Sequence, residues 1–263
     1  LLEIAQRHHV RVLEDVAQAN GGRYRGRMLG TLGDMGIFSL HTNKNITAGE
    51  GGLILTSDRV LYERAFVGHD MGYLFQRDRT SFEDPPEALQ VWPTGRRMGE
   101  LLGAVATEQL RKLPRIVDSM RRSKALLKEC CGELPGARWR RLVDPEGDSG
   151  PFAVLECESE GQAIGAVKAM REGGLHSVWR IHEYTYHISY NIPMLVNRIP
   201  LSPAGNPWDL PQNRESRHAY DEASLPRSSD LFRRGILMPV PSRLNDEQVR
   251  TAARVIRAAL GGR

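Results

Sequence analysis

Three short apolar runs, Val10–Leu13, Ile37–Leu40 and Leu53–Thr56, punctuate the first part of the chain and are too brief to be helices. Runs of about four to eight branched or aromatic residues, bounded by glycine and polar clusters, fold as buried strands. The first follows a helical segment, Leu1 to His9, with apolar Leu1, Leu2, Ile4 and Ala5, and it ends in two acids, Glu14 and Asp15. A connection rich in glycine (Gly21, Gly22, Gly26, Gly30, Gly33) leads to the second. After the third, Ser57 or Asp58 can cap a helix reaching about Phe66, because a short oxygen-bearing side chain satisfies free N–H groups of a first turn. Short strands alternating with helices and loops specify an α/β domain.

The polar, irregular stretch from Tyr73 to Pro93 reads as a surface loop. A long helix is expected from about Met98 to Cys131, with Leu101, Leu102, Val105, Leu110, Leu113, Ile116, Val117 and Met120 on one apolar face. Pro114 is expected to kink or divide it. Beyond lies a smaller α+β unit. Phe152–Leu155 reads as a strand, and Ser159 with Gln162 has capping-box spacing before Ile164, Val167 and Met170. Gly173 and Gly174 stop that helix, and Asn245 with Gln248 repeats the signature before a final amphipathic helix. The expected division is residues 1–112, part of a large domain, and residues 113–263, a linking helix and small C-terminal domain.

Composition excludes several classes. The chain has 263 residues, of which 40% are hydrophobic and 26% charged, a globular rather than a disordered balance. No apolar run approaches the ~20 residues that span a bilayer, so no membrane partner is expected. The formal charge is +4, but the basic residues are scattered among acids rather than gathered in a stripe, so no nucleic acid is expected. Anionic small molecules suit that charge equally well. Three cysteines form no disulfide framework, which points to a reducing, cytoplasmic location. Neither they nor His41, His69, His182 and His187 have metal-ligand spacing, so no metal is expected.

Two segments carry the chemistry: Glu14 to Ala19, and Phe38 to Gly52 with Lys44 at its centre. Separated by the turn Gly30 to Asp34, they resemble the DegT/DnrJ/EryC1/StrS family of pyridoxal-phosphate (PLP) aminotransferases. Arg96 to Leu110 resembles a further segment of that family, and Leu225 to Asp230, with Ile236 to Val240 and the closing helix, resembles its C-terminal end. The resemblance implies fold type I: a partial large domain with a mostly parallel sheet plus a smaller α+β C-terminal domain. It makes Lys44 the Schiff-base lysine, Asp15 the partner of the pyridine nitrogen and Gln18 a neighbour of the cofactor ring. Ser39 becomes a phosphate ligand, and Arg97 reaches the cofactor phosphate of the other subunit in a homodimer with shared sites. His41 and His182 are candidate substrate contacts.

The physical logic runs the same way. The cofactor aldehyde needs an amine, which lysine supplies at a side-chain tip. The ring nitrogen needs a carboxylate, and an acid at the carboxyl end of a buried parallel strand is well placed. The implied reaction moves an amino group from glutamate or glutamine to a keto- or aldehydo-sugar, often nucleotide-linked.

Some residues depart from the pattern. Gly95 stands where the family usually has asparagine, and Thr42-Asn43 replaces a Pro-Thr pair. The sequence opens without Met and inside a helix, and reads as lacking the family's N-terminal part, with its Gly-Thr phosphate turn and stacking aromatic. A PLP-dependent sugar dehydratase is an alternative, opposed by Lys44 because such relatives carry histidine there; a catalytically silent scaffold is another. Ser177 to Asp221 is expected to face substrate, without indicating which one.

Overall fold

The computed structural model describes residues 1–75, 82–83, 85–184, 187–213 and 220–262. Parts of the Tyr73–Pro93 and Ser177–Asp221 stretches therefore lie outside the described residues. The chain forms two compact units, Leu1–Arg122 with Leu142–Pro151 and Pro241–Arg243, and Ser123–Arg141 with Phe152–Val240 and Leu244–Arg263.

The first unit contains α1 (Leu2–Arg7), β1 (Leu13–Asp15), the hairpin β2 (Arg23–Tyr24) and β3 (Arg27–Met28), β4 (Met35–Ser39), β5 (Gly52–Leu55) and α2 (Arg59–His69). Short β6 (Leu74–Phe75) and β7 (Phe82–Glu83) follow, then α3 (Glu100–Cys131), within which the two units divide. Asp58 caps α2, accepting from the N–H groups of Val60 and Leu61.

The sheet order is β1-β4-β5, with β1 parallel and β5 antiparallel to β4. The sheet is therefore mixed, not mostly parallel. The link from β4 to β5 closes on itself and returns at the same end, and an antiparallel neighbour needs no crossover helix. Nor are the strands buried: β5 is exposed along its length and β1 shields only Glu14 in part. The first strand also begins later than its apolar run. Val12 is clasped by Asp34, whose carboxylate accepts from the Val12 N–H at 2.7 Å and whose own N–H donates to the Val12 carbonyl at 2.9 Å.

The core of this unit lies beneath the sheet's connection. Leu40, Ile46 and Ala48, from the loop after β4, pack with Leu113 and Val117 of α3. At about 1.5–3 kcal/mol for each large side chain buried, this cluster anchors the loop firmly. It also explains why α3 is not divided at Pro114. An interior proline costs about 3 kcal/mol, and the buried residues around it offset that.

The second unit contains β8 (Ala137–Trp139), β9 (Phe152–Cys157), α4 (Glu160–Glu172), β10 (Trp179–Arg180), α5 (Pro193–Val196), α6 (Pro226–Arg234), β11 (Gly235–Pro239) and α7 (Asp246–Ala259). Its sheet, β10-β11-β9-β8, is antiparallel throughout. Burial alternates along β9, so Ala153, Leu155 and Cys157 face the core with Met170 of α4 and Ile256 of α7. The Asn245–Gln248 capping box is complete; at α4, Ser159 accepts from Gln162 but the Gln162 side chain turns to the Glu158 N–H instead.

Candidate active site

β1 ends in two acids that do different work, because successive side chains of a strand point to opposite faces. Glu14 turns toward the Gly30–Gly33 turn, where its carboxylate accepts from the N–H groups of Gly30 (2.8 Å), Leu32 (2.6 Å) and Gly33 (2.7 Å). Asp15 is exposed at the strand's carboxyl end, and its Oδ1 accepts from the Ala17 N–H at 3.0 Å. Its Oδ2 has no partner among the described residues.

Because β1 and β4 are parallel, their carboxyl ends lie at one edge of the sheet. Asp15 is in register with Ile37, so Ser39 stands two residues further along the neighbouring strand. Strand rise and spacing place the two Cα atoms on the order of 8 Å apart. The Ser39 hydroxyl accepts from the His41 N–H at 3.3 Å.

Lys44 occupies the tip of the loop that follows. The loop is closed at its base by the Ala48 N–H and the Thr47 hydroxyl, both donating to the Leu40 carbonyl, and by the Thr42 hydroxyl donating to the Gly49 carbonyl. The Lys44 N–H donates to the His41 carbonyl at 3.0 Å. Its half-buried side-chain amine has no ion-pair partner among the described residues. His41 is held within the loop: its Nδ1 accepts from the Asn43 N–H, and its Nε2 lies 3.7 Å from Glu50.

Two asparagines that the sequence reading passed over join these segments. Asn20, 2% exposed, donates from Nδ2 to the Ser39 carbonyl at 2.9 Å. Asn45, next to Lys44, donates from Nδ2 to the Asn20 carbonyl at 2.7 Å. The available signal for Asn20 was its place directly before Gly21 and Gly22, at the end of the Glu14–Ala19 segment. Asp70, 4% exposed, was also missed; its carboxylate pairs with Arg97 at 3.2 Å, and the segment leading to Arg97 is pinned by Thr94, Gly95 and Arg96 N–H groups donating to Gly68, Asp70 and His69 carbonyls.

The structure thus gathers Asp15, Ser39, His41 and Lys44 around one sheet edge. Gln18 is exposed on the same segment as Asp15, without a hydrogen bond among the described residues. Arg97 is half-exposed and engaged by Asp70. His182 belongs to the second unit, where its Nε2 lies 3.1 Å from Glu222, which Arg233 also holds. That arrangement ties His182 to α6.

The donor set at the sheet edge suits PLP: an amine without a counter-charge and a carboxylate with one oxygen unbonded among the described residues, and a hydroxyl. Gly49 and Gly51, at φ +90° and +132°, let the backbone pass the loop where a side chain would be strained.

Residues 1–174 match the model of the DegT/DnrJ/EryC1/StrS aminotransferase family. The L-glutamine:2-deoxy-scyllo-inosose aminotransferase of Streptoalloteichus tenebrarius is 35% identical over 261 residues, covering 94% of this chain and 58% of that protein. The GDP-perosamine synthase of Caulobacter vibrioides is 53% identical over 58 residues, 22% of this chain and 16% of that protein. Among solved structures, the aminotransferase TlmJ from Streptoalloteichus hindustanus matches with a TM-score of 0.71 at 21% identity, over 98% of this chain and 61% of that one. Helicobacter pylori PseC, an aminotransferase involved in the biosynthesis of pseudoaminic acid, matches with the same score at 19% identity, over 98% of this chain and 62% of that one. The chain thus spans about three fifths of the length of these longer matches.

Proposed function

This chain belongs to the DegT/DnrJ/EryC1/StrS aminotransferase family, and from that we infer that it carries the lysine half of a fold type I PLP site for amino transfer to a keto- or aldehydo-sugar or cyclic keto-polyol. Relatives named for aminating 2-deoxy-scyllo-inosose and for making GDP-perosamine support that acceptor class, and the former names glutamine as donor. The observation that carries the reading is the placement of Lys44, whose amine has no ion-pair partner among the described residues, in a closed loop at the sheet edge where Asp15 ends β1.

PLP, when bound, supplies an aldehyde that takes up the amine and a ring that accepts electrons. Lys44 Nζ would hold the cofactor and would move the proton that the reaction shifts. Asp15 Oδ2 would keep a proton on the ring nitrogen, while Oδ1 stays fixed on the Ala17 N–H. The Ser39 hydroxyl would donate to the phosphate, and Gln18 would neighbour the ring. Arg97 serves a second copy's phosphate in a homodimer, with Asp70 orienting its guanidinium. No helix is long and apolar enough to cross a membrane among the described residues, and a cytoplasmic enzyme fits that.

The test is a PLP titration followed by borohydride reduction and peptide mass spectrometry. A visible absorbance band and a reduced adduct on Lys44, both lost in Lys44→Ala, are expected; a Lys44→Ala chain that keeps the band refutes the assignment. Glutamine with a cyclic ketone then tests the transfer itself.

A further inference from the structure

We propose that Asn20 and Asn45 are a pair of positioning residues that set where the Lys44 amine stands relative to the Asp15 carboxylate. The catalytic consequence rests on the PLP reading above; the tie itself rests on geometry alone.

The two chemical groups sit on separate pieces of backbone. Asp15 closes β1, and the turn after it is stiff: the Ala17 N–H is taken by Asp15 Oδ1, the Val16 N–H by the Ile37 carbonyl and the Ala19 N–H by the Val16 carbonyl. Asn20 stands at the end of that turn. Lys44 stands at the tip of a loop whose closing bonds, from Thr42, Thr47 and Ala48, all run within the loop. Those bonds fix the loop's shape, and Ile46 and Ala48 seat it on the core, but none of them ties the tip to Asp15's segment. Among the described residues, the hydrogen bond that reaches from the tip to Asp15's segment is Asn45 Nδ2 to the Asn20 carbonyl, at 2.7 Å. Asn45 is itself fixed, since its Oδ1 accepts from the Ile46 N–H at 3.1 Å and Ile46 is buried in the core.

Asn20 secures the base of the same loop. Its Nδ2 donates to the carbonyl of Ser39, one residue before the loop begins. Its Oδ1 is buried and meets no donor among the described residues. Leaving a buried acceptor unpaired is a cost that an apolar side chain would avoid, so the amide's value lies in what Nδ2 and the backbone carbonyl hold. One residue thus receives the tip and grips the base.

The pair lies one residue from Lys44 and five from Asp15. An amine and a carboxylate that share one rigid ring must be placed within about an ångström, and small displacements at such sites cost on the order of a hundredfold in rate.

The experiment compares Asn45→Ala with Thr31→Ala, which removes an exposed side-chain hydrogen bond to the Met28 carbonyl outside the loop. In the cofactor-free chain, Asn45→Ala is expected to speed amide exchange at Lys44 about five- to tenfold, the effect of losing one hydrogen bond. In the PLP-treated chain, Asn45→Ala is expected to lower the borohydride-trapped fraction of bound cofactor several-fold, while Thr31→Ala leaves that fraction at the parent value. Asn20→Ala, which keeps the backbone acceptor but frees Ser39, is expected to lower it as well. Unchanged exchange in Asn45→Ala overturns the tie; faster exchange with an unchanged trapped fraction overturns the positioning role. Should the parent chain trap no PLP, and Lys44→Ala match it, the proposed function fails, and the exchange measurement still decides whether the tie exists.

Discussion

Glu14 and Asp15 are neighbours in sequence, yet Glu14 accepts three backbone N–H groups of the Gly30–Gly33 turn while Asp15 accepts one, from Ala17, and is otherwise exposed. One acid builds the scaffold and leaves the other to the site.

The two carboxylates should therefore separate stability from function. Glu14→Gln removes the charge that three donors converge on, and hydrogen bonds to charged groups contribute about 1.5–3 kcal/mol each, so a loss of about 2–4 kcal/mol is expected in urea unfolding. Asp15→Asn should stay within about 0.5 kcal/mol of the parent, as an exposed substitution does. Its effect should show instead in the PLP-treated chain, as loss of protonation at the ring nitrogen read from the absorbance spectrum.

Gly36 and Gly99 make a second contrast. A Cβ at Gly36 would stand 2.5 Å from the Cα and carbonyl oxygen of Gly30, backbone atoms that cannot swing aside. Gly36→Ala is expected to cost about 1–3 kcal/mol or more by overpacking β4 against the turn. A Cβ at Gly99 meets nothing within 4 Å, so Gly99→Ala should be neutral or stabilise by about 0.4–1 kcal/mol through the unfolded chain. Equal melting temperatures for the two variants would contradict this packing.

The thiols predict an alkaline limit. Burial pushes Cys131 and Cys157 up to about 11, opposed in part by Arg257 and Arg234. Because the folded values lie above the unfolded ones, the stabilisation is whole below about pH 8.5 and is lost as the pH rises toward 11. Each thiol is worth about 2–3 kcal/mol over that window. Replacing either with alanine or serine should flatten the alkaline limb of a stability–pH curve, and alkylation should reach Cys130 first because its side chain is less buried.

An acid limb is expected in the second unit. The Arg233 guanidinium, aided by His182, holds the Glu222 carboxyl below its ordinary range. A depressed carboxyl contributes stability that is whole above about pH 4 and declines as the pH falls through the folded value. Glu222→Gln should make the unit less stable at neutral pH and less sensitive below about pH 4, measured by near-ultraviolet circular dichroism during acid titration. The carboxylate is accessible to solvent, so added salt should shrink the difference.

Legibility varied with the range of the interaction. The Asn245–Gln248 box, the Asp58 cap, the strand at Phe152 and the stop at Gly173 are fixed by residues within four positions of one another, and local pattern suffices for these. Pro114 does not divide α3 because its penalty is local and the burial that offsets it is not. The expectation of a mostly parallel sheet failed for a similar reason: β5 is an apolar run whichever way it points, and its direction depends on how the Leu40–Gly51 link closes.

The sequence by itself determined the chemical groups: a lysine among small residues, an acid ending a strand, and a family pattern covering residues 1–174. Tertiary structure alone decided that Glu14 serves the scaffold, that Asp70 holds Arg97, and that Asn45 bonds to Asn20 across 25 positions. Those pairings arise when loop closure brings distant backbone together, and the hydrogen bonds then formed leave no periodicity in the chain to be read beforehand.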